Sequence, residues 1–382
     1  MLRDAVSVLT VVSITAVLFG ITLFLFRSFT AHRAELAQRW SDRGRRALKT
    51  GKASEAIVDL RTALLYAPGS RDYELLLAQA LGAAGMQLHK PALIDESYSY
   101  YLGLWESAPG DGNINLELAR LAAHKGNRDD AVHYYRAAIY GTWDEGDGVR
   151  RRAEIRIELA RYFIDQHDFQ NARTELLIVG GNTPNTYERD ITFGKLLESA
   201  HYPADAETFY RKAIELKPND PVALELAGRL AYTMADYAGA HRLLQSAAEQ
   251  HAPDATRDSE LAQNAGRILA LTPSASLAPR ERATRILDIR AIAKKRYDTC
   301  LKQDQGQPPA PALQSLAARW ASPDAMANLT AMLRDPARQD ASLQLAYDTE
   351  RELQSSCGPG SADDAVVLQL AAQSRSASGN TE

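Results

Sequence analysis

The chain has 382 residues, a formal net charge of −4 and charged side chains at 24% of its positions. These values do not indicate a nucleic-acid-binding protein, because such proteins usually carry an excess of basic residues on one face. Beyond the first 26 positions, Ala, Leu and Arg are in excess over β-branched residues. This composition favours an all-helical soluble part.

The first 30 residues predict a membrane anchor. Residues 5–26 form an uncharged run of 22 residues, 14 of which are Val, Leu, Ile or Phe. As a helix, this run extends about 33 Å, enough to cross the hydrocarbon core of a bilayer. A cleaved signal peptide is the alternative, but its apolar core is usually shorter, about 7 to 15 residues, and ends at a small-residue site. Because this run ends in Leu25-Phe26-Arg27, we expect an uncleaved anchor.

The charges that flank the apolar run bear on which side of the membrane the rest of the chain occupies. The basic residues that follow the run are Arg27, Arg33, Arg39, Arg43, Arg45, Arg46, Lys49 and Lys52. Only Glu35 and Asp42 oppose them over the same stretch. The positive-inside rule then predicts, by a narrow margin, that the rest of the chain is cytoplasmic. The layout of the chain, an anchor followed by the repeats described below, is what suggests a bacterial inner (cytoplasmic) membrane. Long domains often cross regardless of flanking charge, so a periplasmic location is the alternative.

A repeated pattern of small and large residues follows the apolar run. The first unit has Trp40, Gly44, Ala56, Leu60, Ala63 and Pro68. Two antiparallel helices approach closely only where small residues face each other, and bulky residues one turn away fill the remaining space. The proline then ends the second helix, because it cannot continue the hydrogen-bond ladder.

Five further units repeat this pattern. Their small packing positions in the first helix are Ala78, Ala119, Ala160, Gly194 and Gly228. Their large positions in the second helix are Tyr101, Tyr135, Leu176, Tyr210 and Leu244. The turns within the six pairs are predicted at Gly51, Gly85, Gly126, His167, His201 and Ala235.

Over residues 37–254 this spacing resembles tetratricopeptide-repeat (TPR) proteins, whose unit has 34 residues. The resemblance implies an all-α fold, an α-solenoid of about six helix pairs. We expect a C-terminal helical extension in four parts. These parts are atypical closing helices at 255–305, a Pro-rich linker at 306–312, a helical region at 313–373 and a disordered tail at 374–382.

The resemblance also implies a concave groove lined by the first helix of each unit. The ninth position of a unit faces this groove in TPR proteins, and five of the six residues there are cationic. These residues are Arg45, Arg120, Arg161, Lys195 and Arg229. Guanidinium groups bind carboxylates through two hydrogen bonds, so the row predicts binding of an acidic segment or a chain terminus. The alternative is that these cations pair with acids of neighbouring units, such as Glu154, Glu188 and Glu225.

The two cysteines, Cys300 and Cys357, are too few for a structural zinc site and too far apart in sequence for a redox pair. A disulfide in an oxidising compartment and two buried thiols are both open. Neither a phosphate-binding glycine-rich loop nor a His-Glu-x-x-His motif occurs. We therefore expect no cofactor, no metal site and no enzyme, and the alternative is a catalytic site hidden in residues 306–382.

These features predict a membrane-anchored scaffold that binds other proteins, in bacterial envelope assembly or regulation. The layout is similar to bacterial inner-membrane TPR proteins that regulate lipopolysaccharide synthesis from the cytoplasmic side. Those proteins end in a pair of zinc-binding Cys-x-x-Cys motifs, which this sequence lacks. Other bacterial proteins of the same layout face the periplasm and assist secretion or assembly. The sequence leaves the partner and the oligomeric state open.

Overall fold

The computed structural model describes residues 2–143, 148–303, 311–322 and 328–379. Over these residues the fold is all α-helical, without a β-strand. The chain divides into two compact units, Met1–Thr183 and Pro184–Glu382.

The first unit contains eight helices among its described residues. They are α1 (Leu2–Lys49), α2 (Ala53–Tyr66), α3 (Arg71–Leu88), α4 (Pro91–Ser107), α5 (Gly112–His124), α6 (Arg128–Tyr140), α7 (Gly148–Asp165) and α8 (Phe169–Asn182). Consecutive helices pack as the pairs α1/α2, α3/α4, α5/α6 and α7/α8. These pairs are the first four predicted repeats.

The second unit begins with the pairs α9/α10 and α11/α12, which are the fifth and sixth repeats. Its helices are α9 (Tyr187–Ser199), α10 (Pro203–Leu216), α11 (Pro221–Thr233), α12 (Tyr237–Glu249), α13 (Ala255–Leu271), α14 (Pro279–Gln303), α15 (Pro311–Ala321), α16 (Leu329–Arg334), α17 (Pro336–Ser356) and α18 (Ala362–Gly379). The six helix pairs confirm the predicted all-α TPR solenoid.

Several helices begin where an aspartate side chain supplies a capping group. The side chains of Asp111, Asp220 and Asp236 accept hydrogen bonds from backbone N–H groups in the first turns of α5, α11 and α12. These bonds satisfy donors that a helix start leaves without a partner. Pro203 and Pro221 open α10 and α11, where the missing N–H of proline costs nothing.

The small and large positions meet as the repeat pattern predicts. A methyl group at Gly44 would lie 2.6 Å from Cγ of Leu60, and one at Gly194 would overlap the ring of Tyr210. Leu60 and Tyr210 are completely buried. Glycine at these positions lets the two helices of a pair approach closely around a large side chain.

Five of the six predicted intra-pair turns adopt the left-handed conformation. Gly51 has φ +75° and Gly126 has φ +74°, and the three non-glycine turn residues have φ of 57° to 61°. The prediction at Gly85 was wrong, because α3 continues to Leu88 and the left-handed residue is His89, with φ 51°. A methyl at Gly85 would lie 2.6 Å from Cγ1 of Ile94, so this glycine allows close packing instead of a turn.

The repeat register continues one helix beyond its predicted end at residue 254. In α13, Ala262 stands at the small packing position and packs with Ala240 and Leu244 of α12. No seventh pair forms among the described residues, because α14 packs mainly against α17. The predicted closing segment 255–305 is therefore one further repeat-like helix followed by a helix of a separate bundle.

Helices α14, α16, α17 and α18 form this C-terminal bundle. Its core joins Ile268 and Ile289 to Tyr347, Val367 and Leu370. Helix α18 extends to Gly379, so the predicted disorder from residue 374 was wrong as far as 379. Once the buried first half of α18 has formed a helix, each added residue extends it at low cost.

Two other predicted boundaries differ from the structure. Of the predicted linker 306–312, residues 306–310 lie outside the described residues and 311–312 begin α15. The anchor (1–30) and the first repeat (from 37) are not separated, because α1 runs without interruption through both. Among the described residues, the part of α1 from Ser13 onward is the one helix long and apolar enough to cross a membrane. Its length and composition fit a membrane span or a signal sequence.

Candidate partner-binding groove

The cationic ninth positions lie on the first helices of their pairs. Arg45, Arg120 and Arg161 are on α1, α5 and α7 of the first unit, and Lys195 and Arg229 are on α9 and α11 of the second. Arg45, Arg161 and Lys195 are exposed, whereas Arg120 and Arg229 are half-buried. The five cations therefore fall into two groups.

Arg120 is held by carboxylates on two helices. Its Nε and Nη2 atoms donate to the two carboxylate oxygens of Glu158 on α7, both at 2.8 Å. Its Nη1 atom donates to Glu117 at 2.8 Å, and the Tyr135 hydroxyl donates to Glu158 at 3.0 Å. Burial alone would raise the pKa of Glu158, but the hydrogen bonds and charge of Arg120 outweigh it and lower the pKa.

Arg229 has a similar environment in the second unit. Its Nε atom donates to Asp258 at 2.9 Å, and its Nη2 atom donates to Asp254 at 3.1 Å. Its Nη1 atom lies 2.8 Å from Glu225 on the same helix. Burial, together with the charges of Asp258 and Asp254, raises the pKa of Glu225 despite the opposing charge of Arg229. Arg229 thus links α11 to the start of α13.

The three exposed cations are held more loosely. Arg45 lies 3.7 Å from Asp42, with both side chains about half exposed. Arg161 is close enough to Glu158 for its charge to help lower the pKa of that carboxyl. Lys195 has no ion pair within 4.0 Å among the described residues. These three side chains retain N–H groups that can donate hydrogen bonds to an added carboxylate.

The sequence left two roles open for these cations, binding of a partner and pairing with acids of the protein itself. Arg120 and Arg229 pair with acids, whereas partner binding stays a prediction for Arg45, Arg161 and Lys195. Among the acids named as alternative partners, Glu225 pairs with Arg229. Glu154 pairs with Arg151, and Glu188 lies 3.6 Å from Lys217, outside the row. The sequence analysis missed Glu158 and Asp258. The signal available was an acid on the first helix of the next repeat, Glu158 in α7 and Asp258 in the first turn of α13.

A covalent link closes the C-terminal bundle. Cys300 on α14 and Cys357 after α17 form a disulfide, with their Cα atoms 6.0 Å apart. The sequence left a disulfide and two buried thiols open, and the structure has the disulfide. The Cα separation lies in the usual range for disulfides, about 4.4 to 6.8 Å.

A buried ion pair lies close to the disulfide. Arg296 pairs with Glu350, and its Nη2 atom donates to the carbonyl of Gly358 at 2.6 Å. Glu350 is completely buried. Burial raises the pKa of Glu350 to about 7 against the opposing effect of Arg296.

A cleft of about 320 Å³ opens beside the disulfide. Its lining combines basic, acidic and hydroxyl side chains, among them Lys295, Arg296, Thr299, Ser361, Asp363 and Asp364. No group of three or more His, Cys, Asp or Glu side chains in the described part of the chain is arranged to hold a metal ion.

No protein-family model and no curated protein sequence matches the chain. Among solved structures, Pseudomonas aeruginosa PilF is 18% identical with a TM-score of 0.40, over 61% of this chain and 98% of PilF. PilW, a type IV pilus biogenesis factor, is 13% identical with a TM-score of 0.40, over 58% and 97%. The C-terminal part of a TPR protein from Cytophaga hutchinsonii is 14% identical with a TM-score of 0.46, over 84% and 99%. These comparisons concern the fold alone.

Proposed function

We propose that this protein is a membrane-anchored bacterial scaffold that binds partner proteins through the first helices of its TPR pairs. The observation that carries the proposal is the continuity of α1, whose apolar N-terminal part leads without a break into the first repeat. A helix of this kind holds a binding array at a membrane without a flexible linker. The role that fits this arrangement is recruitment of partners during envelope assembly or regulation.

In this proposal the exposed cations of each unit supply its recognition chemistry, Arg45 and Arg161 in the first unit and Lys195 in the second. An acidic segment or a chain terminus offers carboxylates that accept charge-assisted hydrogen bonds. Arg120 and Arg229 serve a different purpose, because their carboxylate partners hold consecutive first helices together. A surface whose geometry is fixed before binding loses less conformational entropy when a partner docks.

Charge reversal tests this assignment. We expect the double variant Arg161→Glu/Lys195→Glu to bind a fluorescent hexaglutamate peptide at least about tenfold more weakly than the parent protein, since one decade corresponds to about 1.4 kcal/mol. Fluorescence anisotropy at low salt measures the affinity. The matched control is Arg136→Glu/Arg211→Glu, because these exposed arginines lie on the second helices α6 and α10.

The control variant changes the net charge by the same amount and should keep most of the affinity. Equal weakening by both pairs would show that the peptide responds to overall charge only. Unchanged binding by Arg161→Glu/Lys195→Glu would remove these side chains from the proposed recognition surface.

The disulfide bears on the side of the membrane that the repeats occupy. Disulfides persist in oxidising compartments such as the bacterial periplasm and are rare in the cytosol. Cys300 and Cys357 therefore favour the periplasmic alternative over the narrow cytoplasmic prediction from flanking charge. We place the repeat domain in the periplasm in this proposal, with residues 5–26 as the span.

A paired reporter fusion after Glu382 tests the location. One reporter is active only in the cytoplasm and the other only outside it, and thiol labelling in whole cells reports the state of both cysteines. The proposal predicts activity outside the cytoplasm and no labelling before reduction. Cytoplasmic activity with labelled Cys300 and Cys357 would restore the prediction from flanking charge and reject the periplasmic location.

A further inference from the structure

The membrane-proximal end of the first repeat is defined by α1 and α2. These helices pack antiparallel, so the C-terminal end of α2 returns along α1 toward the apolar run. The Nη2 atom of Arg33 on α1 donates a hydrogen bond to the backbone carbonyl of Leu65 on α2 at 3.1 Å. This bond fixes the level along α1 at which α2 ends.

Helix geometry gives the distance from that level to the membrane. The uncharged run ends at Phe26, and α1 remains helical from there to Lys49. At 1.5 Å per residue, Phe29 lies about 4.5 Å and Arg33 about 10.5 Å beyond the end of the run. The headgroup region on each side of a bilayer is about 5 to 8 Å thick. The end of α2 is therefore next to the headgroups if the run spans the membrane.

The side chains at this level suit such a position. Leu65 is 76% exposed and Phe29 is 60% exposed, although both are large and apolar. The Arg33 guanidinium lies 5.8 Å from the centre of the Phe29 ring. These three residues form a surface that we call the membrane-proximal patch: Phe29, Arg33 and Leu65.

The side chains of the patch indicate which kind of surface it contacts. Exposed apolar side chains beside long cationic ones partition into the boundary between acyl chains and headgroups, where the charges meet anionic lipid. The nearby acid Glu35 lies 2.5 Å from Arg39 and is thereby partly neutralised. Helix α3 begins at the same end with Arg71, and its first turn also carries Asp72 and Glu74, a net charge of −1.

We infer that the membrane-proximal patch docks on the anionic headgroup layer of the bilayer that α1 spans, so that the first repeat rests on the membrane surface. This inference depends on the membrane anchor of the proposed function. Docking at a second level along α1 restricts tilting of the repeat relative to the membrane. The groove of the first unit is then presented in a defined direction.

Single introduced cysteines test the inference in the full chain, because the native cysteines are paired in a disulfide. The variant Leu65→Cys carries an environment-sensitive fluorophore, and the protein is reconstituted in vesicles of phosphatidylethanolamine and phosphatidylglycerol. Quenching by lipids with spin-labelled headgroups reports proximity to the membrane surface. We expect quenching at position 65 to exceed that of a control position severalfold.

The matched control is Val58→Cys, also on α2, where Val58 is 64% exposed. It precedes Leu65 by two turns on the same helix face and lies about 10 Å farther from the membrane. A third label at Leu18→Cys, inside the apolar run, reports insertion of the anchor through quenching by lipids labelled on their acyl chains. Adding Arg33→Glu to Leu65→Cys should reduce the quenching at position 65.

The three labels separate the outcomes. Quenching at 18 and 65 but not at 58 supports docking. Quenching at 18 with equally weak signals at 65 and 58 overturns docking and leaves the anchor intact. If position 18 is not quenched, the anchor of the proposed function and the docking inference both fail.

Discussion

At the scale of single residues, the pKa of Glu350 depends on its surroundings in the folded protein, and no sequence motif indicates this. The carboxyl of Glu350 is completely buried and pairs with Arg296 across 54 positions of the sequence. Burial raises the pKa of Glu350 to about 7 from an ordinary value of 4.5. Sequence analysis did not find this pair, because the partners lie on α14 and α17 and meet only through tertiary packing.

The raised pKa predicts how stability depends on pH. Between about pH 4.5 and pH 7 the folded state keeps a proton on Glu350 that the unfolded chain releases, so this group makes the free energy of unfolding fall as the pH rises through that window. The Glu350→Gln variant removes the titration. We expect the variant to show a flatter pH dependence of thermal unfolding over the same window.

Circular dichroism at several pH values measures this slope for the parent and the variant. Glu215→Gln is the control, since Glu215 is exposed on α10, and this variant should retain the slope of the parent protein. An unchanged slope in Glu350→Gln would mean that Glu350 titrates normally in the folded state. The comparison concerns the slope, because the substitution also changes the packing and hydrogen bonding around Arg296 and so shifts the absolute stability.

At the scale of the helices, the spacing of small and large residues predicted all six pairs. The pattern is informative because the glycine at a small position lies against the large residue of the second helix, as Gly44 lies against Leu60 and Gly228 against Leu244. The pattern gave the wrong boundary at two places, the turn predicted at Gly85 and the end of the repeats predicted at residue 254. The insertion after Gly85 lengthened α3, and Ala262 continued the register although the next helix, α14, packs mainly against α17.

The pairing rule predicts the effect of filling a small position. We expect Gly194→Ala to lower the free energy of unfolding by about 1 to 3 kcal/mol, because the added methyl overlaps the Tyr210 ring in a closely packed interface. Chemical denaturation of the full chain measures the change. Gly103→Ala is the control, since Gly103 lies in α4 with open space where its methyl would be.

In Gly103→Ala the methyl meets no neighbour, so helix propensity alone should raise stability by about 0.5 to 1 kcal/mol. Opposite signs for the two variants are the expected pattern. Equal effects would show that the close approach of α9 and α10 does not depend on glycine.

At the scale of the whole molecule, the candidate site could be predicted only in part. The ninth-position cations followed from the repeat spacing, since every unit places the same position on its first helix. The ion pairs of Arg120 with Glu158 and of Arg229 with Asp258 join different repeats, and their side-chain conformations depend on how those repeats pack. The spacing of Cys300 and Cys357 likewise gave no indication of their pairing, which the bundle of α14 and α17 brings about.

The central claim is that partner proteins bind exposed positions on the first helices of the repeats. Site-specific photo-crosslinking in intact cells tests it most directly, with benzoylphenylalanine in place of Arg161 or Lys195 and, as controls, in place of Arg136 or Arg211. The account predicts a discrete adduct with a partner protein from positions 161 and 195 and none from 136 and 211. Equal adducts from all four positions, or none from 161 and 195 while the protein is in the membrane fraction, would contradict it.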